Sequence, residues 1–427
     1  MNTFGEPTTL PAPDATLSRT RLDNGLTVVL AEHEAADVVA VQLWFRVGGA
    51  HESDAEAGLS HFIEHLLFKG TPTRGPGVVD RTISGLGGEM NAATSHDFTY
   101  YHLVVPAEHL DTALNVMADV ARHASLDPTE IDRERLVVLE EIRRAHDSPG
   151  GYLWRLLARH HFPGHPYGRP VLGTPEVITG AGRPFIADYH RRHYVPNRAV
   201  LVVVGRLDRE GALDRVQQEF GPWAPGAPDP DSIPRAADLT AAARVEEPRP
   251  VGQVYLAASW RSPTVPDEDV HAADVLAAIL GTGRASRLNQ ALKERRGVVT
   301  SIGASFYPQK HAGTLTVTAR TNPADRRAAE DALLEEIERL RAVPVEAAEL
   351  ARAVTAVEAA HAFEHETAEG AAYAYGVAEA LWTLDVELEY LERIRRVSRE
   401  DVQAAARRHL APERFTAAAL LPAEPAP

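Results

Sequence analysis

Hydrophobic and polar residues follow two different periods along this chain, and the two periods recur in the same order in both halves. Alternating or continuous β-branched runs predict strands, as in VAVQLWFRVG at 39–48 and VGQVYLAASW at 251–260. Each run is followed by a glycine-flanked segment with helical spacing, GLSHFIEHLLFKG in the first half and VHAADVLAAILGTG in the second. Both halves are therefore predicted to open with a strand followed by a helix.

The similarity between the halves continues beyond these first elements. A strand entry that contains glycine at 85–105 corresponds to 296–319, and a long amphipathic helix follows each of them. Because the order and spacing repeat over about 200 residues, we interpret the chain as an internal duplication. The predicted fold class is α+β, with two homologous domains that each pack a mixed or antiparallel β-sheet against α-helices.

A segment rich in proline, alanine and aspartate separates the halves. It contains GPWAPGAPDPDS and ends at Pro250, and this composition is typical of a domain boundary. We predict an N-terminal domain at 1–222, which contains the candidate metal residues described below, a linker at 223–250, and a homologous C-terminal domain at 251–427.

Composition and charge narrow the classes of function. The 427 residues carry a formal net charge of −16, which argues against nucleic acid as a partner because phosphate binding needs a basic surface. No apolar run of about 18 residues occurs, so no membrane span is predicted. The first 25 residues lack the apolar core of a secretory signal. We therefore expect a location in the bacterial cytoplasm.

The absence of cysteine restricts any metal site to nitrogen and oxygen ligands. The sequence His61-Phe62-Ile63-Glu64-His65 has the apolar spacing of a helix. Residues four apart lie on one face of a helix, so His61 and His65 can bind the same ion. Neutral imidazole suits zinc, and Glu64 would lie near that ion while remaining free to hold a water molecule.

A catalytic zinc ion needs a third protein ligand beside its water. The best source is the acidic segment that starts with Asp127 as a helix cap and Pro128 at the first helical position. Glu134 and Glu141 are seven residues apart on this helix and share one face. One carboxylate can bind the ion, and the other can hold the second nitrogen of a histidine.

These motifs together resemble the pitrilysin/insulysin family of metallopeptidases, whose His-x-x-Glu-His motif inverts the common zincin order. The chain is most similar to the short members of that family, which include the mitochondrial processing peptidase and many bacterial proteins. The resemblance extends over nearly the whole chain. It rests on FRVGGAHE (45–52), GLSHFIEHLLFKGT (58–71), GGEMNAATS (87–95), ERLVVLEEI (134–142) and HPYG (165–168).

The resemblance implies roles for five residues and one zinc ion per chain. The metal ligands would be His61, His65 and Glu141, the general base Glu64, and the supporting carboxylate Glu134. Glu140 is the neighbouring alternative to Glu141, which we favour because only Glu141 shares a helix face with Glu134. The remaining histidines are interpreted as surface or core residues, for example His51, His96, His102, His160 and His161.

The resemblance also implies how a peptide substrate binds. The segment GGEMNAAT at 87–94 would be an edge strand that pairs with the substrate backbone, which gives affinity with little demand on sequence. Asn91 and Ala92 are the residues expected to lie against the substrate. The alternative is an ordinary hairpin strand with a glycine bulge.

The second half departs from the pattern of the resembling family. Active members have an Arg and a Tyr there, seven residues apart, where this chain has Lys293 and Thr300. Lysine keeps the charge but lacks the planar fork of arginine, and threonine is too short to replace a phenol. Neither Arg295 nor Arg296 restores the spacing, and Tyr307 does not either. We therefore expect a heterodimer with a homologous, zinc-less subunit that carries the Arg/Tyr pair, or otherwise a homodimer.

The sequence thus predicts a zinc-dependent endopeptidase that hydrolyses peptides through a metal-activated water molecule. Two alternatives share the fold. One is a structural or assembly subunit without catalytic activity, like the core proteins of respiratory complexes, and the other is a module that binds peptides without cleaving them. The joint presence of His61, Glu64, His65 and Glu141 argues against a purely structural role.

Overall fold

The structure is a computed structural model that describes residues 8–10, 17–227 and 232–423. Its strands are β1 (Thr8–Leu10), β2 (Leu17–Arg21), β3 (Thr27–Glu32), β4 (Val38–Phe45), β5 (Glu89–Thr94), β6 (Thr99–Pro106), β7 (Ala199–Gly205), β8 (Ala243–Arg249), β9 (Val254–Ser262), β10 (Ser301–Pro308), β11 (Gly313–Thr321) and β12 (Thr416–Pro422). Its α-helices are α1 (Leu59–Leu67), α2 (Val78–Gly85), α3 (Leu110–His123), α4 (Pro128–Asp147), α5 (Pro149–His161), α6 (Pro175–Gly180), α7 (Arg183–His193), α8 (Arg209–Phe220), α9 (Val270–Gly281), α10 (Arg326–Ala342), α11 (Ala347–Glu364), α12 (Ala368–Leu381), α13 (Leu384–Leu388), α14 (Tyr390–Arg396) and α15 (Arg399–His409).

These elements form two compact units, each built from separate stretches of chain. The first unit extends to Ile142 and includes Pro170–Ser232 and Ala362–Leu388; the second comprises Arg143–Arg169, Ile233–His361 and the chain from Glu389. Each unit combines one sheet with helices, so the predicted α+β fold with two domains is confirmed.

The sheet of the first unit has the order β1-β2-β3-β7-β4-β6-β5. Only β3 and β7 pair in parallel among its described strands, so the sheet is mixed. Side chains alternate between its two faces. One face joins α1 and α3 in a large apolar core, and the other face packs on α12. β5 forms one edge of this sheet.

The sheet of the second unit has the order β10-β11-β9-β12-β8, with a parallel pair between β12 and β8. Helix α9 packs on β10 and β11 at one face. Helix α5 packs on β9 and β12 at the other face, through Leu153, Leu156 and Leu157. Both faces of the sheet are therefore covered by apolar helix surfaces.

The compact units differ from the predicted continuous domains in two exchanged helices. Helix α5 belongs to the first half of the sequence but packs on the second sheet, whereas α12 belongs to the second half and packs on the first. The contact of α12 is close, because a Cβ atom at Gly376 would lie 2.2 Å from Nε1 of the buried Trp44. Hydrophobic periodicity defines the apolar face of a helix but not the sheet that this face covers.

The predicted linker at 223–250 also differs from the structure at its C-terminal end. The units divide between Ser232 and Ile233, and residues 228–231 within the predicted linker lie outside the described residues. Ala243–Arg249 is the edge strand β8. An edge strand tolerates a proline such as Pro248. The proline content of this segment therefore indicated a linker where the structure has a strand.

No helix within the described ranges is both long enough and apolar enough to cross a membrane.

Candidate metal centre

The helix that carries the two candidate histidines is fixed at its N-terminus. Gly58 precedes α1 with φ +98°, and a Cβ atom there would lie 2.7 Å from the Cα of Gly173. The buried carboxylate of Glu52 accepts hydrogen bonds from the backbone N–H groups of Gly58 and Ser60, both at 2.7 Å. A carboxylate at this end also interacts favourably with the helix dipole. Glu52 therefore sets the position of α1, a role that the sequence pattern did not reveal.

Three predicted ligands from two helices meet at one point. The Nε2 atoms of His61 and His65, both from α1, each lie 3.4 Å from Oε2 of Glu141, which belongs to α4. The two rings are 4.8 Å apart at 76°. All three donor atoms lie within 4.8 Å of one another. The neighbouring Glu140 does not belong to this group of described residues.

The geometry of these donors fits a tetrahedral metal ion. Two ligands that each lie about 2.1 Å from a tetrahedral zinc ion are about 3.4 Å from each other, which matches the two measured separations from Glu141. Burial, together with the neighbouring His65, lowers the pKa of His61 to about 4. His61 is therefore neutral at pH 7, and its Nε2 lone pair can bind a cation.

A second carboxylate supports one of the histidines from behind. Oε2 of the buried Glu134 lies 3.1 Å from Nδ1 of His65, the ring nitrogen opposite the cluster. Its other oxygen forms an ion pair with Lys69 at 2.6 Å. A partner of this kind fixes the tautomer and orientation of a histidine ligand. Lys69 was not predicted, because an ion pair between residues 65 positions apart leaves no local sequence signal.

Glu64 lies next to the cluster and is held by the edge strand. The hydroxyl of Thr94, the last residue of β5, donates a hydrogen bond of 2.6 Å to Oε2 of Glu64. Burial raises the pKa of Glu64, and the Glu141 charge raises it further, whereas the bond from Thr94 and the charge of His65 lower it. A raised carboxylate pKa suits a general base. Thr94 is the third site residue, after Glu52 and Lys69, that the sequence did not predict.

The two predicted substrate residues lie on β5 but face opposite sides of the sheet. Asn91 pairs with His102 of β6, and Ala92 pairs with Tyr101. Ala92 packs against the core that contains α1, so Asn91 points to the other face. Because β5 pairs with β6 alone among the strands that the structure describes, its outer backbone edge is open to an added strand.

The predicted replacements for the Arg/Tyr pair belong to the second unit. Lys293 is exposed in a π-helical turn at Asn289–Arg295. Thr300 precedes β10, and its hydroxyl donates to the backbone carbonyl of Arg320 at 3.2 Å.

The other histidines have varied surroundings. His161 is buried, and burial lowers its pKa to about 3, with Arg261 adding to the effect. His160 is exposed, and its Nδ1 lies 2.8 Å from a carbonyl of its own helix. His51 accepts a hydrogen bond from the N–H of Gly48 at 3.2 Å. These environments are those of ordinary core and surface histidines.

Two family models match the chain in succession. The one described as Insulinase (Peptidase family M16) matches residues 27–175, and the one described as Peptidase M16 inactive domain matches residues 183–357. A Mycobacterium tuberculosis protein named "uncharacterized zinc protease" is 33% identical over 73% of this chain and 72% of its own length. A Streptomyces coelicolor protein of the same name is 30% identical over 92% of this chain and 87% of its own length.

Solved structures share the fold at lower identity. A protease from Helicobacter pylori superposes with a TM-score of 0.88 and 24% identity, covering 98% of this chain and 100% of that one. A chain of Complex III2 from Candida albicans superposes with a TM-score of 0.81 and 18% identity, covering 94% and 95%. The fold thus occurs both in a protease and in a chain of Complex III2. On the evidence of the two matched family models and the relatives of at least 30% identity, the chain belongs to the insulinase family, peptidase family M16.

Proposed function

We propose that this chain is a zinc-dependent endopeptidase. The observation that carries the proposal is the convergence of His61, His65 and Glu141 within 4.8 Å, at separations that suit a tetrahedral ion. The names of the M16 relatives, which call them zinc proteases, support the same metal and the same reaction class. The bacterial cytoplasm remains a prediction for its location.

The residues of the candidate metal centre have separate roles in the proposed hydrolysis. A bound zinc ion would polarise the scissile carbonyl and acidify a water molecule. Glu64 takes the proton from the attacking water and passes it to the leaving amine. The hydroxyl of Thr94 keeps the Glu64 carboxylate oriented for both transfers. Glu134 holds the ring of His65 through Nδ1, so that Nε2 remains directed at the ion.

The edge strand β5 supports an extended peptide as substrate. Backbone hydrogen bonds to an open strand edge bind peptides of varied sequence. The same strand ends at Thr94, which bonds to the base. A peptide paired with β5 would therefore lie beside the group that activates water.

The test of this proposal is Glu64→Gln, with Glu108→Gln as the control because the side chain of Glu108 is 81% exposed. We expect the Glu64 variant to bind zinc as the wild type does and to lose about 10²- to 10⁴-fold in kcat. Elemental analysis measures the zinc, and fluorogenic peptides measure cleavage with and without chelator. Cleavage at the wild-type rate by Glu64→Gln, or cleavage that survives complete removal of the metal, would contradict the proposal.

We propose further that the chain acts as the metal-bearing subunit of a heterodimer, and otherwise as a homodimer. The observation that favours this is the presence of Lys293 and Thr300 where active relatives are expected to have Arg and Tyr. Purified alone, the chain should cleave peptides poorly, and the double variant Lys293→Arg/Thr300→Tyr should raise its kcat/KM. Efficient cleavage by the unmodified chain alone would overturn the heterodimer. Zinc binding without cleavage in any pairing would favour the alternative of a peptide-binding or assembly subunit.

A further inference from the structure

The face of β5 that points away from α1 bears a polar and aromatic cluster that the proposed reaction does not use. On β6, Tyr100 and Val104 pack against the α12 side of the sheet, and His102 lies between them on the same face. Across the pair, Asn91 is opposite His102 and Ala93 is opposite Tyr100. These four residues, two from each strand, therefore line one face beside the open edge.

A carboxylate from α12 completes this face. Glu369 lies in the first turn of α12, and its Oε1 is 3.0 Å from Nδ1 of His102. Its side chain is 49% exposed, whereas that of His102 is 13% exposed. The backbone carbonyl of Glu369 accepts a hydrogen bond from Nε2 of Gln42 at 3.0 Å. The position of the residue is thus held by its backbone, while half of its side chain remains in contact with solvent.

Aromatic rings form the wall next to this carboxylate. Tyr100 stacks on Trp44 at 4.2 Å and 10°, and Tyr373 of α12 meets Tyr100 edge to face at 5.6 Å. Burial lowers the pKa of His102 against the opposing effect of Glu369. The imidazole is therefore neutral at pH 7 and leaves the negative charge of this face uncompensated.

We propose that Glu369, His102 and Tyr100 form a specificity subsite for a cationic side chain, arginine or lysine, of a peptide paired with β5. This inference rests on the proposed function. Side chains of an added strand alternate between the two faces, so residues opposite Asn91 or Ala93 point toward Glu369. An arginine there can pair with the carboxylate and lay its plane on an aromatic ring. The small side chain of Ala93 leaves room for its stem.

The test uses binding, so that it does not depend on turnover. Zinc-loaded Glu64→Gln protein is titrated with fluorescein-labelled extended peptides in which one arginine, or citrulline in its place, is moved along the sequence. Citrulline keeps the shape of arginine and removes the charge. We expect one register in which the arginine peptide binds about five- to tenfold tighter than the citrulline peptide, as a partly desolvated ion pair with a cation–π contact would give.

Two further substitutions in the same background assign the preference to Glu369. Glu369→Gln should abolish the difference between arginine and citrulline, and Glu369→Lys should reverse it toward a peptide with glutamate at that position. The control is Glu366→Gln, which removes an exposed charge three residues earlier and should leave the difference unchanged. The Gln42 bond to the Glu369 backbone survives these changes, and thermal melting checks that the variants are folded.

The outcomes separate the subsite from the function on which it rests. Equal binding of both peptides in every register, or a preference that persists in Glu369→Gln, overturns the subsite and leaves the peptidase proposal intact. A lower melting temperature of Glu369→Gln with unchanged peptide preference also overturns it, because the His102 pair would then serve only to tether α12. Failure of both cleavage and peptide binding in the wild type contradicts the proposed function itself.

Discussion

Helices α1 and α9 are equivalent elements of the two duplicated units, yet of these two helices only α1 contributes to the candidate metal centre. Each follows a central strand, β4 or β9, and each packs on the edge hairpin of its sheet. All the buried residues of α9 are apolar, from Val270 to Leu280. Helix α1 buries His61 and Ser60 among its apolar residues. The same scaffold position therefore accommodates either a purely apolar helix or one with polar groups in its interior.

The difference between the helices extends to their surroundings. A buried polar group destabilises a fold unless it finds a partner. Around α1, Ser60 bonds to Tyr189 at 2.8 Å and His65 faces Glu134, whereas Nδ1 of the buried His61 has no hydrogen-bond partner among the described residues. Helix α4 buries Glu134 on the side toward α1, whereas the equivalent α11 buries Ala353 and Val357. The candidate metal centre thus combines supporting groups with ligands, and the equivalent position in the second unit has neither.

The largest expected effect on zinc binding comes from removing the candidate ligand on α4. Glu141→Gln should lower zinc affinity by more than about 100-fold, which exceeds the usual loss for a supporting group, and peptide cleavage should disappear with it. The matched control is Glu140→Gln, an identical change one residue away, which should alter zinc affinity by less than about twofold. Competition with a chromogenic chelator measures both affinities. Equal losses in the two variants would mean that α4 does not supply a specific ligand.

The next largest effect on zinc affinity is expected when the supporting carboxylate of Glu134 is removed. Glu134→Ala should weaken zinc binding by about 10- to 100-fold, because His65 loses the partner that orients its ring. Glu130→Ala is the control, since Glu130 is also buried on α4 but pairs with Arg133. Lys69→Met should have a smaller effect than Glu134→Ala. If loss of Glu134 left zinc affinity unchanged, the ligands alone would explain why α1 binds a metal ion and α9 does not.

The two exchanged helices, α5 and α12, can be compared by the effect of one substitution in each on the free energy of unfolding. Gly376→Ala on α12 should lower the free energy of unfolding by about 1–3 kcal/mol, because the added methyl meets the fully buried Trp44. Gly150→Ala on α5 meets nothing within 4 Å and should raise it by about 0.5–1 kcal/mol, as alanine favours helix over glycine. Urea denaturation measures both changes. Two effects of the same sign would contradict the close packing of α12 on the first sheet.

Local patterns predicted most of this fold and the centre of the site. The His61–His65 spacing and the shared face of Glu134 and Glu141 are properties of single helices, so the sequence was sufficient to propose them. Alternation along the strands likewise predicted the two sheets. The sheet on which α5 or α12 packs could not be predicted, because each helix has an apolar face that could cover either sheet. The strand β8 was missed because its edge position permits a proline.

Three supporting residues of the site leave no signal in the sequence. Glu52, Lys69 and Thr94 each act through one or two hydrogen bonds or an ion pair, and no spacing rule links them to their partners. Glu369 lies near His102 because α12, which comes from the second half of the sequence, packs on the first sheet. Residues that support a site from distant segments are visible only in three dimensions, whereas ligands that share a helix are visible in the sequence.

The smallest predicted effect tests whether the edge strand and the base act together, a link with no counterpart on α9. Thr94→Val removes the hydroxyl that stabilises the Glu64 carboxylate. Loss of that bond raises the pKa of Glu64 further, because burial already raises it and the bond from Thr94 opposes this effect. A general base must be deprotonated to accept a proton, so the acidic limb of the activity profile should move to higher pH.

The lost bond should also lower kcat by about tenfold, the typical effect of one hydrogen bond to a charged group. Thr82→Val is the control, because its hydroxyl bonds only to a carbonyl of its own helix α2. The measurement is kcat against pH for both variants and the wild type, at saturating zinc. A profile of Thr94→Val that keeps the wild-type acidic limb would show that Glu64 is oriented without β5. The contribution of the edge strand would then be limited to binding the peptide.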